Sequence, residues 1–208
     1  MPHAASDASP DTAGDGAPER ERIGILGGTF DPVHVGHLMD ASAARHQLSL
    51  DRLLVVVARD PWQKRDRVIA PADIRYEMVV AALDGVEGLE ASRIEMEREG
   101  PTYTIDTVDH LERPRRELFL IVGSDVAAGI ATWHRVDELR TRVTLAIVDR
   151  DATPFPAPAG WRVARVSAPR LELSSTDLRR RVAAGEPIDF LVPTAAARIL
   201  RAHKLYLP

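Results

Sequence analysis

The chain has 208 residues, 45% of them hydrophobic and 28% charged, with no cysteine and a formal net charge of −4. That composition describes a globular protein with a sizeable core, and the missing cysteines exclude disulfides, thiolate catalysis and cysteine-ligated zinc, which suits a reducing cytoplasm. Asp7, Asp11, Asp15 and Glu19 outweigh Arg20 at one end, so the body is nearly neutral and lacks the clustered Lys and Arg of nucleic-acid binders.

Residues 1–20 are rich in Ala, Pro, Gly, Ser and Asp and carry no large aliphatic side chain after Met1. They cannot bury enough surface to offset ordering entropy, which predicts a disordered tail before a single domain over 21–208. No basic start leads into an apolar stretch, so the tail is not a secretory signal. The longest apolar run is six residues, against the ~18 or more that a membrane span takes. No membrane partner is expected.

From residue 23 onward, β-branched or leucine-rich runs predict strands at 23–26, 53–57, 93–96, 118–122, 143–148 and 161–166. Helical patterns lie between them at 37–48, 72–83, 104–112, 125–130 and 135–141. This alternation predicts parallel strands joined by helical crossovers. The runs do not alternate strictly with polar residues, as expected of strands covered on both sides. The fold class is therefore α/β, a doubly wound, mostly parallel sheet with helices on both faces. Pro154, Pro156 and Pro158 make 151–160 a surface loop. Ser174, three residues before Asp177, caps a helix over 175–184 that Gly185 and Pro187 stop. A last helix starts near Pro193 and places Ala196, Ile199, Leu200 and His203 on one face.

The densest chemical signal runs from Gly24 to His37. It leaves the first strand through Gly27 and Gly28, passes the Asp31-Pro32 turn and enters a helix near Gly36. Open parallel sheets bind ligands at the carboxyl ends of their strands. Glycines there admit an anion close to the main chain, and the following helix offers unpaired N–H groups and a positive dipole end. His34 and His37, three residues apart, can face the same group. The arrangement suits a polyphosphate. The spacing is neither a dinucleotide fingerprint nor a Walker loop, and a zinc site from the two histidines lacks a third ligand. Asp31, followed by proline, reads as a turn residue rather than a metal ligand. Arg179 has two readings: a phosphate ligand above the capped Ser174 helix, or part of a solvent-facing run with Arg180 and Arg181.

Residues 27–37, Gly-Gly-Thr-Phe-Asp-Pro-Val-His-Val-Gly-His, resemble the GGTFDPxHxGH signature of the nicotinate-nucleotide adenylyltransferases, in the nucleotidylyltransferase superfamily. Residues 173–179, Leu-Ser-Ser-Thr-Asp-Leu-Arg, resemble the superfamily's second signature, ISSTxIR. Residues 61–64, 102–107 and 123–125, with Trp133 and the closing Leu205-Tyr206, are also similar to this family. Where members commonly carry a Pro and a Gly after the second strand, this chain has Ala58-Arg59-Asp60.

The resemblance implies a Rossmann-like nucleotidylyltransferase fold and transfer of AMP from ATP to nicotinate mononucleotide, in NAD biosynthesis. It implies catalytic roles for His34, His37 and Arg179, and ATP contacts from Gly27, Gly28, Thr29, Phe30, Gly36, Ser174, Ser175 and Thr176. On the acceptor side it points to Lys64, Tyr103, Thr104, Gly123, Asp125 and Trp133. Trp133 could stack on the pyridine ring or simply pack the core, and Asp125 could bind a sugar hydroxyl or merely begin a helix. Magnesium is expected on ATP oxygens rather than in a protein cage. Both end signatures are shared with relatives such as the phosphopantetheine adenylyltransferases, and a non-catalytic nucleotide-binding module is the alternative of a different class. A class I aminoacyl-tRNA synthetase, which also uses a His-x-Gly-His string, does not fit so short a chain without a lysine-rich second signature.

Overall fold

The computed structural model describes residues 20–61, 70–98, 100–149 and 154–207. Its strands are β1 (Glu21–Gly28), β2 (Arg52–Val57), β3 (Leu89–Ser92), β4 (Arg116–Gly123), β5 (Val143–Asp149) and β6 (Val163–Ser167). They form one six-stranded sheet in the order β3-β2-β1-β4-β5-β6, every pairing parallel. The helices are α1 (Val35–Gln47), α2 (Ala72–Leu83), α3 (Thr104–Leu111), α4 (Ser124–Ala128), α5 (Val136–Arg142), α6 (Ser175–Ala183) and α7 (Thr194–Ala202).

The sheet is buried on both faces, and its strands feed the two sides alternately. Leu53, Val55 and Val57 of β2 join one apolar cluster with residues of α1, α2, α6 and α7. Leu54 and Val56 join the other with Ile23, Ile25, Leu120, Leu145 and Ile147, closed by Ile105, Val108 and Leu111 of α3 and Leu139 of α5. The central strands are therefore apolar along most of their length, although their side chains still point up and down in turn. Gly24 marks the closest approach in the first cluster's side of β1. A Cβ there would lie 2.7 Å from Leu50 and 3.0 Å from Leu53 and Ile121.

The third strand departs from the expectation at 93–96. Pairing selects Leu89–Ser92 instead, in register with Leu53–Val56 of β2, and Ile94–Met96 forms a 3₁₀ turn. Leu-Glu-Ala-Ser has little intrinsic strand preference, so the neighbouring strand decides, as is usual for sheets. The helix expected at 125–130 is α4 followed by a separate 3₁₀ turn, Ile130–Thr132, because the chain leaves α4 at Gly129. In α7, Pro193 occupies the N-cap, and the buried residues are Ala196, Ala197 and Leu200. His203 is exposed at the far end rather than on that face. Residues 154–160 hold no helix or strand, as the prolines require, while 151–153 lie outside the described residues, as do 1–19 of the expected tail.

Candidate active site

The parallel strands present all their carboxyl ends on one side, and the chain leaves β1 and β4 toward opposite edges of the sheet. The crevice at that switch point is where such sheets take ligands. Gly27 and Gly28 end β1 there, followed by Thr29, which is buried, and Phe30, which takes a left-handed backbone at φ 50°. The Asp31-Pro32 peptide is cis, and the turn delivers His34 to the N-cap of α1.

The two imidazoles stack, with ring centroids 3.7 Å apart and planes inclined by 22°, and the edge of Phe30 meets His37 at 4.9 Å. Gly36 makes room for this stack, since a Cβ on it would come within 3.1 Å of the His34 ring. The His34 backbone N–H donates to Nδ1 of His37 at 3.2 Å. With Nδ1 accepting, the proton of a neutral His37 ring belongs on Nε2, which makes that nitrogen a donor.

Helix α6 docks against this turn from the other end of the chain. Its N-cap Ser174 accepts a hydrogen bond from Asp177 N–H at 3.0 Å, a cap that typically contributes about 1 kcal/mol. Ser175 Oγ donates to the carbonyl of Pro32 at 2.9 Å. Arg179 donates to the carbonyl of Asp31 at 2.8 Å and to Thr176 Oγ1 at 3.1 Å. Arg180 and Arg181 turn outward and pair with Asp177 and Glu186. The triple-arginine run is thus divided: Arg180 and Arg181 pair with carboxylates of their own segment, and Arg179 lies against the turn after β1. The start of α1 is fixed from a third side by Val35 N–H, which donates to Leu191 O at 3.0 Å.

Three residues to which sequence reasoning assigned no site role, Asp31 having read as a turn residue, organise the base of this turn. Asp31 is 1% exposed, and its Oδ1 accepts from Ala70 N–H at 3.0 Å and from the Tyr206 hydroxyl at 2.6 Å. Arg75, equally buried, donates to the carbonyls of Ala70 (2.9 Å), Thr29 (2.7 Å) and Arg59 (3.2 Å). Burial pulls the Arg75 guanidinium below its ordinary pKa, opposed by the nearby Asp31 charge. Burial and the bond to Asp31 push the Tyr206 phenol far above its usual range. The available signal was Arg75 on the buried stripe of α2, in step with Met78, Val79 and Ala82. A charged residue at such a position has to find partners inside.

The residues expected on the acceptor side lie near the starts of α3 and α4. Tyr103 caps α3, which Thr104 begins, and its ring stacks on His134 with centroids 4.2 Å apart. His134 was not singled out from the sequence; the stack is a tertiary contact between two loops. Trp133 is half-buried and packs against the second apolar cluster. Gly123 ends β4 and caps α4. Ser124 and the exposed Asp125 line a cleft of about 390 Å³ with Arg170, Glu172, Ser174 and Asp177. Ala58-Arg59-Asp60 bridges the two regions: Ala58 N–H donates to Gly28 O at 2.9 Å, and Asp60 N–H donates to Thr102 Oγ1 at 3.1 Å. Lys64 lies outside the described residues. Among the described residues, no group of three His, Cys, Asp or Glu side chains could hold a metal ion.

Residues 25–181 match the cytidylyltransferase-like family. The chain is 41% identical over 193 residues to a protein of Corynebacterium kroppenstedtii named probable nicotinate-nucleotide adenylyltransferase, covering 90% of this chain and 92% of that one. A protein of the same name from Methylibium petroleiphilum is 42% identical over 203 residues, covering 92% and 95%. Among solved structures, the Plasmodium falciparum nicotinic acid mononucleotide adenylyltransferase complexed with NaAD superposes with a TM-score of 0.72 over 89% of this chain and 97% of that one. At 19% identity, this last likeness is one of fold.

Proposed function

The chain belongs to the nicotinate-nucleotide adenylyltransferases within the cytidylyltransferase-like family, and from that premise we propose that it transfers AMP from ATP to nicotinate mononucleotide. A phosphate oxygen of the mononucleotide attacks the α-phosphorus in line. The new O–P bond forms as the bond to the bridging oxygen of the β-phosphate breaks, and pyrophosphate leaves with that electron pair. The products are deamido-NAD and pyrophosphate. The nucleophile is already anionic, so no side chain has to remove a proton. Alignment and neutralisation of charge are what the protein supplies.

The observation that carries this reading is the docking of α6, which sets Arg179 on the same turn that holds the paired imidazoles. His37 Nε2–H, His34 and the main chain from Gly27 to Phe30, with Gly36 beside them, hold the phosphates. Arg179 neutralises the departing end, and Ser174 to Thr176 complete the cradle. Tyr103 and Thr104 at the start of α3 take the nicotinate carboxylate, and Trp133 its ring. Gly123 and Asp125, with Lys64, complete the acceptor side. Magnesium bound to the ATP oxygens would add to the neutralisation of their charge, while the Asp31 carboxylate is already engaged by Ala70, Tyr206 and Arg179. We place the reaction in the cytoplasm.

The test is product analysis with ATP and nicotinate mononucleotide, nicotinamide mononucleotide or phosphopantetheine as acceptor. Deamido-NAD with stoichiometric pyrophosphate is expected. Preference for phosphopantetheine would move the chain to another branch of the superfamily, and absence of pyrophosphate with every acceptor would leave a nucleotide-binding module.

A further inference from the structure

We propose that Tyr206, near the carboxyl end of the chain, is a positioning residue for the phosphate clamp, acting on Arg179 through the buried carboxylate of Asp31. The inference rests on the assignment of Arg179 to the triphosphate. Tyr206 donates its hydroxyl to Asp31 Oδ1 at 2.6 Å, while the other oxygen of that carboxylate lies 3.5 Å from Arg179. Arg179 also donates to the Asp31 main-chain carbonyl at 2.8 Å, so both the charge and the backbone of Asp31 locate the guanidinium. With Asp31 1% exposed, almost no water competes for these contacts.

The backbone gives an independent indication. Lys204 (φ 49°) and Tyr206 (φ 61°) take left-handed conformations, as does Phe30 (φ 50°) immediately before Asp31. Such non-glycine conformations are energetically unfavourable and persist where the surroundings demand them, often at functional sites. Here they turn the chain's last residues back onto the phosphate loop. Tyr206 does not touch the triphosphate in this arrangement. Together with Ala70 N–H, which donates to the same oxygen, it sets where the carboxylate lies relative to Arg179.

The experiment is a double-mutant cycle on kcat/KM for ATP at saturating acceptor, using Tyr206→Phe and Arg179→Ala, with thermal unfolding of each variant as control. Tyr206→Phe removes one oxygen and is expected to lower kcat/KM about 3- to 10-fold, the scale of one hydrogen bond, with little change in unfolding midpoint. Arg179→Ala lowers it about 10- to 100-fold, and adding Tyr206→Phe produces no further loss. The same loss in both backgrounds would overturn the coupling and leave Tyr206 a purely structural residue. Asp31→Asn, which keeps shape and removes charge, provides a second entry to the cycle and is expected to be equally non-additive with Arg179→Ala. Normal turnover of Arg179→Ala alone would instead overturn the clamp assignment on which the proposal rests.

Discussion

The two ends of the site differ in how they are held. At the end proposed for the phosphates, the turn after β1 is bound by Ser175, Arg179, Arg75 and Tyr206, drawn from three later segments of the chain, and its key residues are buried. At the end proposed for the acceptor, Tyr103 and His134 stack on each other, and His134 and Asp125 are exposed. One end is preorganised before any ligand arrives. The other offers surfaces that a ligand can rearrange. Charge stabilisation requires donors fixed in advance, whereas recognition of a flat ring tolerates adjustment, so the division matches the role proposed above for each half.

The contrast is most exposed to failure at His37. His37→Ala is expected to lower kcat by roughly 10²- to 10³-fold, the usual loss for one preorganised charge-stabilising donor. His37→Asn sharpens the point: its side-chain oxygen can still accept from His34 N–H, but its amide NH2 is too short to reach the place of Nε2–H, so it should be equally slow while unfolding near the wild-type temperature. Near-normal turnover in either would erase the distinction between the two ends. At the acceptor end, His134→Ala is expected to raise KM for nicotinate mononucleotide about 3- to 10-fold with kcat nearly unchanged, the size of one aromatic contact. A loss in kcat of equal size would show that this end too is rigidly built.

The smallest effect concerns Glu95, in the 3₁₀ turn beside α3. Burial pushes its carboxyl above the ordinary value of 4.5, against the opposing hydrogen bond from Thr107. The folded state then holds this proton more tightly than the unfolded chain, so the group's contribution to stability is greatest below pH 4.5 and declines as pH rises from there through the folded-state value. Glu95→Gln should therefore be more stable than wild type at neutral pH and indistinguishable from it below pH 4.5, as followed by denaturant unfolding across that range. A wild-type curve parallel to that of the glutamine variant would rule out the burial account.

Legibility in the sequence followed the same boundary. Residues 27–37 and 174–179 are contiguous strings that carry their own chemistry, so candidate phosphate residues could be proposed from them, and the structure brings the two strings together. The partner contacts could not. Asp31 and Tyr206 meet across 175 positions, and nothing local to either announces the other. Asp31 read as a turn residue, which it is, but the buried side-chain contacts are a property of the tertiary fold. The strands were legible as runs because both faces of the sheet are apolar. For the same reason their up-and-down alternation was hidden, and β3, lacking a strong run of its own, was placed four residues late. The division of Arg179 from Arg180 and Arg181 required knowing what α6 docks against.

Gly24 has a consequence for how the sheet finds its alignment. With apolar residues above and below, sliding β1 by one residue would expose no hydrophobic surface, so the usual penalty against slippage is weak here. The bare backbone at Gly24 supplies a steric substitute: Leu50, Leu53 and Ile121 occupy the space that any side chain would need, and either neighbouring isoleucine shifted into that place would collide with them. One missing methyl group thus acts as an indexing notch. By setting β1 against β2 and β4, it determines that Gly27 and Gly28, and not the residues beside them, emerge at the turn where the phosphates are proposed to lie.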